Sequence, residues 1–103
     1  MKRASTRDID RLYAAVLRLR NLDECRCFLR DLLTETEIHE FAQRWKAAQM
    51  LEARLPYKTI ERETGLSSRT IARVQKWIKN GRGGYRLMLR RMRSASPNGA
   101  GSG

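Results

Sequence analysis

The stretch LPYKTIERETGLSSRTIARVQKWI, residues Leu55 to Ile78, decides the fold of this chain. Pro56 cannot donate a helical backbone hydrogen bond and pushes Leu55 toward extended geometry, so it ends any preceding helix and lets a new one open near Tyr57. Gly65 closes that short helix, because glycine enters the left-handed conformation without a Cβ penalty. Ser67 or Ser68 then caps a second helix by accepting a bond from one of its free N–H groups. Two short helices joined by a tight glycine turn form a helix-turn-helix. Ile60, Leu66, Ile71, Val74 and Ile78 are spaced to face one core, which leaves Ser68, Arg69, Thr70, Arg73 and Lys76 on or beside the outward face.

The second of these helices opens a segment with charge of one sign. Between Ser67 and Arg93 stand nine basic residues (Arg69, Arg73, Lys76, Lys79, Arg82, Arg86, Arg90, Arg91 and Arg93) and no Asp or Glu. Residues 1–66 hold 13 Lys and Arg against 11 Asp and Glu, so nearly all of the net charge of +11 is local to this segment. A local basic surface points to docking on a phosphate backbone, whereas an evenly spread charge would only aid solubility.

With 103 residues the chain has room for one small domain, assigned to residues 1–93. The last ten residues, SASPNGAGSG, carry no periodic apolar positions and are read as a disordered tail spanning 94–103. No apolar run approaches the roughly 20 residues needed to span a bilayer, and the basic start MKRASTR leads into an amphipathic pattern in place of a signal-peptide core. The expectation is a soluble protein with no membrane partner. Cys25 and Cys27, two apart on a helix, point roughly 200° away from each other, which argues against a disulfide or a zinc site. His39 is the only histidine and has no second ligand or nucleophile in register with it. No metal site, cofactor or catalytic constellation is expected.

Ahead of the basic half, apolar residues recur at helical spacing three times. Ile9, Leu12, Tyr13, Val16 and Leu17 form one stripe, and Leu22, Cys25, Phe28, Leu29 and Leu32 a second. Asn21 with Glu24, and Thr34 with Glu37, have the spacing of capping boxes. The helix after Thr34 runs through Ile38, Phe41, Ala42, Trp45, Ala48 and Leu51 to about Arg54, and its apolar surface covers more than one face. A sixth helix follows Gly83 and Gly84 and aligns Tyr85, Met88, Leu89 and Met92. Nothing alternates with period two, so the fold class is all-α with about six helices. Helices this short need a shared core, and in a chain this small a second subunit can supply part of it.

LLTETEIHEFAQRW and TIERETGLSSRTIARV, set in this order of helices, resemble the tryptophan repressor superfamily, and most closely its small Trp-repressor-related members of the YerC/YecD type. The resemblance covers roughly Asp8 to Met92. It implies an intertwined homodimer in which the first, second, third and sixth helices of two subunits interlace and the helices starting at Ser67 meet successive major grooves of double-stranded DNA. It also implies an effector pocket in which Thr34, Arg44, Thr70 and Arg73 match the family's corepressor-binding residues. Two departures stand beside these matches. Val74 replaces the glycine of tryptophan-binding repressors, and Trp77 replaces a small serine three positions on, which would obstruct an indole and makes L-tryptophan an unlikely partner. Glu61 stands where many such motifs carry a small residue.

The resulting expectation is a sequence-specific, non-enzymatic DNA-binding transcriptional regulator, a repressor by resemblance, located in the bacterial cytoplasm and associated with the nucleoid. Lys58 would contact phosphate; Ser68, Arg69 and Thr70 would face base edges, with Ser67 beside them; Arg73, Lys76 and Lys79 would hold the backbone or extend the reading surface. Arg69 is the first choice for direct readout, since a guanidinium bonds guanine O6 and N7 together. Two alternatives stay open: a repressor responsive to tryptophan or another ligand, and a module that binds nucleic acid without sequence preference.

Overall fold

A computed structural model describes residues 1–95, and these form six helices and no strand: α1 (Thr6–Leu17), α2 (Leu22–Leu32), α3 (Glu35–Glu52), α4 (Tyr57–Thr64), α5 (Ser68–Asn80) and α6 (Gly84–Ala95). α6 thus continues through Ser94 and Ala95, and the remainder of the expected tail lies outside the described residues. The chain divides into two compact units, Met1–Ile38 and a second beginning at His39.

Local hydrogen bonds set the helix boundaries of the first unit. Ser5 caps α1 by accepting from the Asp8 amide at 3.1 Å, and Asn21 caps α2 by accepting from the Glu24 amide at 2.9 Å. The Glu24 carboxylate reaches back to the Arg20 amide at 2.9 Å, one residue before the expected Asn21 amide. At the start of α3 the capping box is complete: the Glu37 amide donates to Thr34 Oγ1 at 3.1 Å and the Thr34 amide donates to Glu37 Oε1 at 2.9 Å. Despite their clear apolar stripes, α1 and α2 contain no buried residue. Ile9, Leu12, Tyr13, Val16, Leu17, Leu22 and Leu32 all remain exposed in the single chain. Cys25 is half-buried and Cys27 exposed, and both are free thiols.

The second unit holds the core. Ala47 of α3, Ile60 of α4 and Ile71 of α5 are fully buried in one cluster, with Met50, Leu51 and Leu66 packed around it. Ala48, Val74 and Leu89 are also buried. α3 ends two residues earlier than the Arg54 expected from periodicity, because Arg54 adopts a left-handed conformation (φ 63). This lets the Leu55 amide bond back to the Met50 carbonyl at 3.1 Å, a Schellman-type closure built without glycine. Pro56 then caps α4 with extended geometry.

Gly65 closes α4 at φ 75 and donates to the Glu61 carbonyl at 2.8 Å. The neighbouring Thr64 is buried, and its hydroxyl donates to the Ile60 carbonyl at 2.7 Å while accepting from the Leu66 amide at 3.1 Å. Such pairing removes the desolvation cost of a buried polar group in the turn. With α5 packed on α4, the pair has the form of a helix-turn-helix.

Gly81 ends α5 in a tighter way. A Cβ there would lie 2.4 Å from the Trp77 carbonyl oxygen and 3.2 Å from its ring, whereas a Cβ on Gly84 would meet nothing within 4 Å. Gly81→Ala should therefore destabilise the fold by about 1–3 kcal/mol through overpacking, and Gly84→Ala should be neutral or stabilise by up to about 1 kcal/mol by restricting the unfolded chain. Urea unfolding of the two variants checks the contrast.

Candidate nucleic-acid interface

α5 begins with Ser67, whose side chain accepts from the Thr70 amide at 3.2 Å and whose hydroxyl donates to Thr70 Oγ1 at the same distance. Of the two serines offered by the sequence, Ser67 is the cap, and Ser68 is the first helical residue. Ile71 and Val74 are buried and Ile78 is half-buried, so the rotation of α5 is set by its apolar side. At 100° per residue, Arg69, Arg73 and Lys76 fall within about 60° of one another on the opposite side. All three are exposed, as are Ser68 and Lys79, while Thr70 is half-buried. Lys58, the second residue of α4, is exposed as well. Acidic residues nearby are partly engaged: Glu63 pairs with Arg62 at 3.5 Å, and Glu52 pairs with Arg93.

Three of the four expected effector-pocket residues come together. Arg44, Thr70 and Arg73 line a cavity of 340 Å³ with Val74, Trp77 and Tyr85. Thr34 belongs to the first unit, where its hydroxyl serves the α3 capping box. Arg44 also lies over the Phe41 ring, 5.6 Å from its centroid. Trp77 and Tyr85 additionally line a second, larger cavity of 470 Å³ with Trp45, Gly81, Arg82, Gly84 and Met88. Trp77 is 51% exposed, so in the single chain it forms a wall between the two spaces and does not plug either.

The acid-free segment divides by role in a way its composition does not reveal. Arg86 Nε donates to the Ile78 carbonyl at 2.9 Å and its Nη2 to the Lys79 carbonyl at 2.6 Å. Arg93 pairs with Glu52 of α3. Lys46 of α3 donates to the Glu63 carbonyl near the end of α4 at 3.3 Å. Tyr85 stacks on Trp45 with ring centroids 6.4 Å apart and planes 5° from parallel. For Arg86 alone a sequence signal existed: a cation just beyond a helix C-terminus can satisfy its last carbonyls.

A glycine-turned helix pair whose second helix exposes basic residues, set among six helices, defines a Trp-repressor-like protein. The chain belongs to the Trp repressor family: the model described as Trp repressor protein matches residues 7–93, across both compact units. Protein YerC of Bacillus subtilis (strain 168) is 39% identical over 87 residues, covering 84% of each chain. A crystal structure of a TrpR-like protein from Eubacterium eligens ATCC 27750 superposes with a TM-score of 0.81 at 36% identity, over 84% of this chain and 90% of that one. A candidate Trp repressor from Staphylococcus aureus gives a TM-score of 0.80 at 38% identity, over 86% and 89% of the two chains.

Proposed function

We propose that this protein is a sequence-specific DNA-binding transcriptional regulator, acting as a repressor and as a homodimer, without catalytic activity and without dependence on L-tryptophan. One observation carries the reading: α5 buries its apolar side on a fixed core and presents Arg69, Arg73 and Lys76 together on the opposite, exposed side. The family membership supports it. In this reading Ser67, Ser68, Arg69 and Thr70, at the N-terminal end of α5, meet base edges in the major groove. Lys58, Arg73, Lys76 and Lys79 hold phosphates. No described helix is long and apolar enough to cross a membrane, and the site of action is the nucleoid in the cytoplasm.

Duplex binding should weaken steeply with salt. If about 4–8 phosphates are neutralised per dimer, the log–log slope is on the order of −4 to −7. Arg69→Ala should relax preference at particular base pairs by about 1–3 kcal/mol, while Lys58→Ala should weaken all sequences alike and reduce the slope by about 1. Titrations against a duplex selected from a random pool and against random duplex measure both effects. A slope near zero would remove the electrostatic account.

The dimer is supported by what one chain leaves uncovered. Ile9, Leu12, Tyr13, Val16 and Leu17 of α1 and Leu22 and Leu32 of α2 are exposed in the first unit, and Phe41, Met88 and Met92 in the second, apolar surface of the kind that marks an interaction face. Light scattering at micromolar concentration should give twice the chain mass, and the unfolding midpoint should rise with protein concentration. A monomeric mass with full helicity would count against the assignment.

Independence from L-tryptophan is supported by the side chains around the 340 Å³ cavity, where buried Val74 and the Trp77 indole occupy the positions of a glycine and a serine in tryptophan-binding repressors. Both side chains add bulk to the lining of a space that an indole would have to share, and overpacking of that kind costs about 1–3 kcal/mol. Millimolar L-tryptophan should change the affinity for the selected duplex by less than twofold. A gain of tenfold, equivalent to about 1.4 kcal/mol of coupling, would instead make the amino acid a corepressor.

A further inference from the structure

Arg86 belongs to the basic segment by composition, yet its geometry differs from that of its neighbours. Its Nε donates to the carbonyl of Ile78 at 2.9 Å and its Nη2 to the carbonyl of Lys79 at 2.6 Å. These carbonyls sit in the last turn of α5, where the helix has no further amides of its own to offer them. A guanidinium is a rigid planar fork, so two bonds from it to successive carbonyls fix direction as well as distance. Because Arg86 lies on α6, the bonds tie one helix to the other. The adjacent residue completes the tie: Tyr85 stacks on Trp45 of α3. Gly81 brings the connection close, since only the absence of a Cβ lets it approach the Trp77 carbonyl, and its amide donates there at 2.9 Å.

We propose that Arg86 is a positioning residue for DNA reading: it clamps the C-terminal end of α5 to α6 and thereby sets the angle at which Ser68 and Arg69 reach base edges. The proposal rests on the DNA-binding reading above. Lever geometry explains its force. Arg69 stands nine residues before Ile78, roughly 14 Å along the helix at 1.5 Å per residue. A tilt of about 10° at the clamped end would displace the reading end by roughly 2.5 Å, while hydrogen bonds to base edges tolerate only a few tenths of an ångström. Loss of the clamp would therefore erode discrimination before it erodes attraction to phosphate.

Arg86→Lys separates the two roles, because it keeps the positive charge and loses the fork. Wild type is first used to select a preferred duplex from a random pool; wild type, Arg86→Lys and Arg86→Gln are then titrated with that duplex and with random duplex across a salt series. The clamp predicts that Arg86→Lys lowers the ratio of preferred to random affinity by tenfold or more, with random-duplex affinity within about twofold of wild type and an unchanged salt slope. A phosphate contact predicts the reverse: Arg86→Lys near wild type, and Arg86→Gln weakening both duplexes equally with a slope smaller by about 1. A bond that only stabilises the fold would lower the melting temperature and leave the ratio untouched; that result also overturns the proposal. Amide hydrogen exchange of the free protein supplies an arm without DNA: exchange over Trp77–Gly81 should quicken in Arg86→Lys and stay at the wild-type rate over Ile71–Val74. If wild type prefers no duplex, the DNA reading and the positioning role fail together, while the exchange data still report whether the clamp exists. A wild-type preference that Arg86→Lys retains in full overturns the positioning role alone.

Discussion

Everything that α5 can do depends on the contact between Ala47, Ile60 and Ile71. These three side chains come from three helices and are each fully buried. Ala47 contributes only a methyl group, so most of the cluster's apolar surface comes from the two isoleucines. Full burial of an isoleucine contributes about 1.5–3 kcal/mol, and truncating one to alanine costs about 2–5 kcal/mol. Against a total stability of about 5–15 kcal/mol for a domain, this cluster cannot be spared. It also sets orientation: with Ile71 and Val74 turned inward, helical geometry alone turns Arg69, Arg73 and Lys76 outward.

The second unit has such a core; the first does not. α1 and α2 are well capped and clearly amphipathic, yet bury nothing completely within one chain. Capping bonds define where these helices start, contributing roughly 1 kcal/mol each, but most helical stability in proteins comes from packing of the apolar face. A second copy of the chain is the simplest source of that packing, and it would cover the exposed methionines of α6 as well. Under the proposed function, the basic helix pair seated on α3 would form the reading head, and the amphipathic arms would bring two heads into register on one duplex.

How much could be read from sequence alone follows sequence distance. The Thr34 and Asn21 caps, the left-handed Gly65, the core positions Ile60, Ile71 and Val74, and the outward turn of α5 all rest on relations within a few residues, where spacing has a direct structural meaning. The end of α3 was less legible, because nothing in the identity of Arg54 announces a left-handed backbone at φ 63. Least legible were the long-range partners. Trp45 and Tyr85 are forty residues apart and Arg93 and Glu52 forty-one, and no local pattern pairs them. All nine basic residues of Ser67–Arg93 look alike by charge, whereas the exposed Arg86 and Arg93 each bond to groups of this chain, to the Ile78 and Lys79 carbonyls and to Glu52, and Arg69, Arg73 and Lys76 stand together on one exposed side of α5. Of the candidate effector residues, Arg44, Thr70 and Arg73 converge on one cavity, and Thr34 forms the capping box of α3.

That convergence bears on how a reading helix could be regulated. Thr70 and Arg73 belong to α5 and line the 340 Å³ cavity at the same time. Any molecule bound there would press on the helix proposed to meet DNA, and coupling of this kind requires only that binding favour one tilt of α5 over another. Where a small residue stood at position 77, a ligand could supply that pressure. Here the indole of Trp77 is covalently present on α5 and lines that cavity together with Tyr85. At the far end of the same helix Arg86 holds the last carbonyls. A helix restrained at its end has less freedom for an effector to remove, so under the proposed DNA-reading role these residues would favour constitutive reading over ligand control.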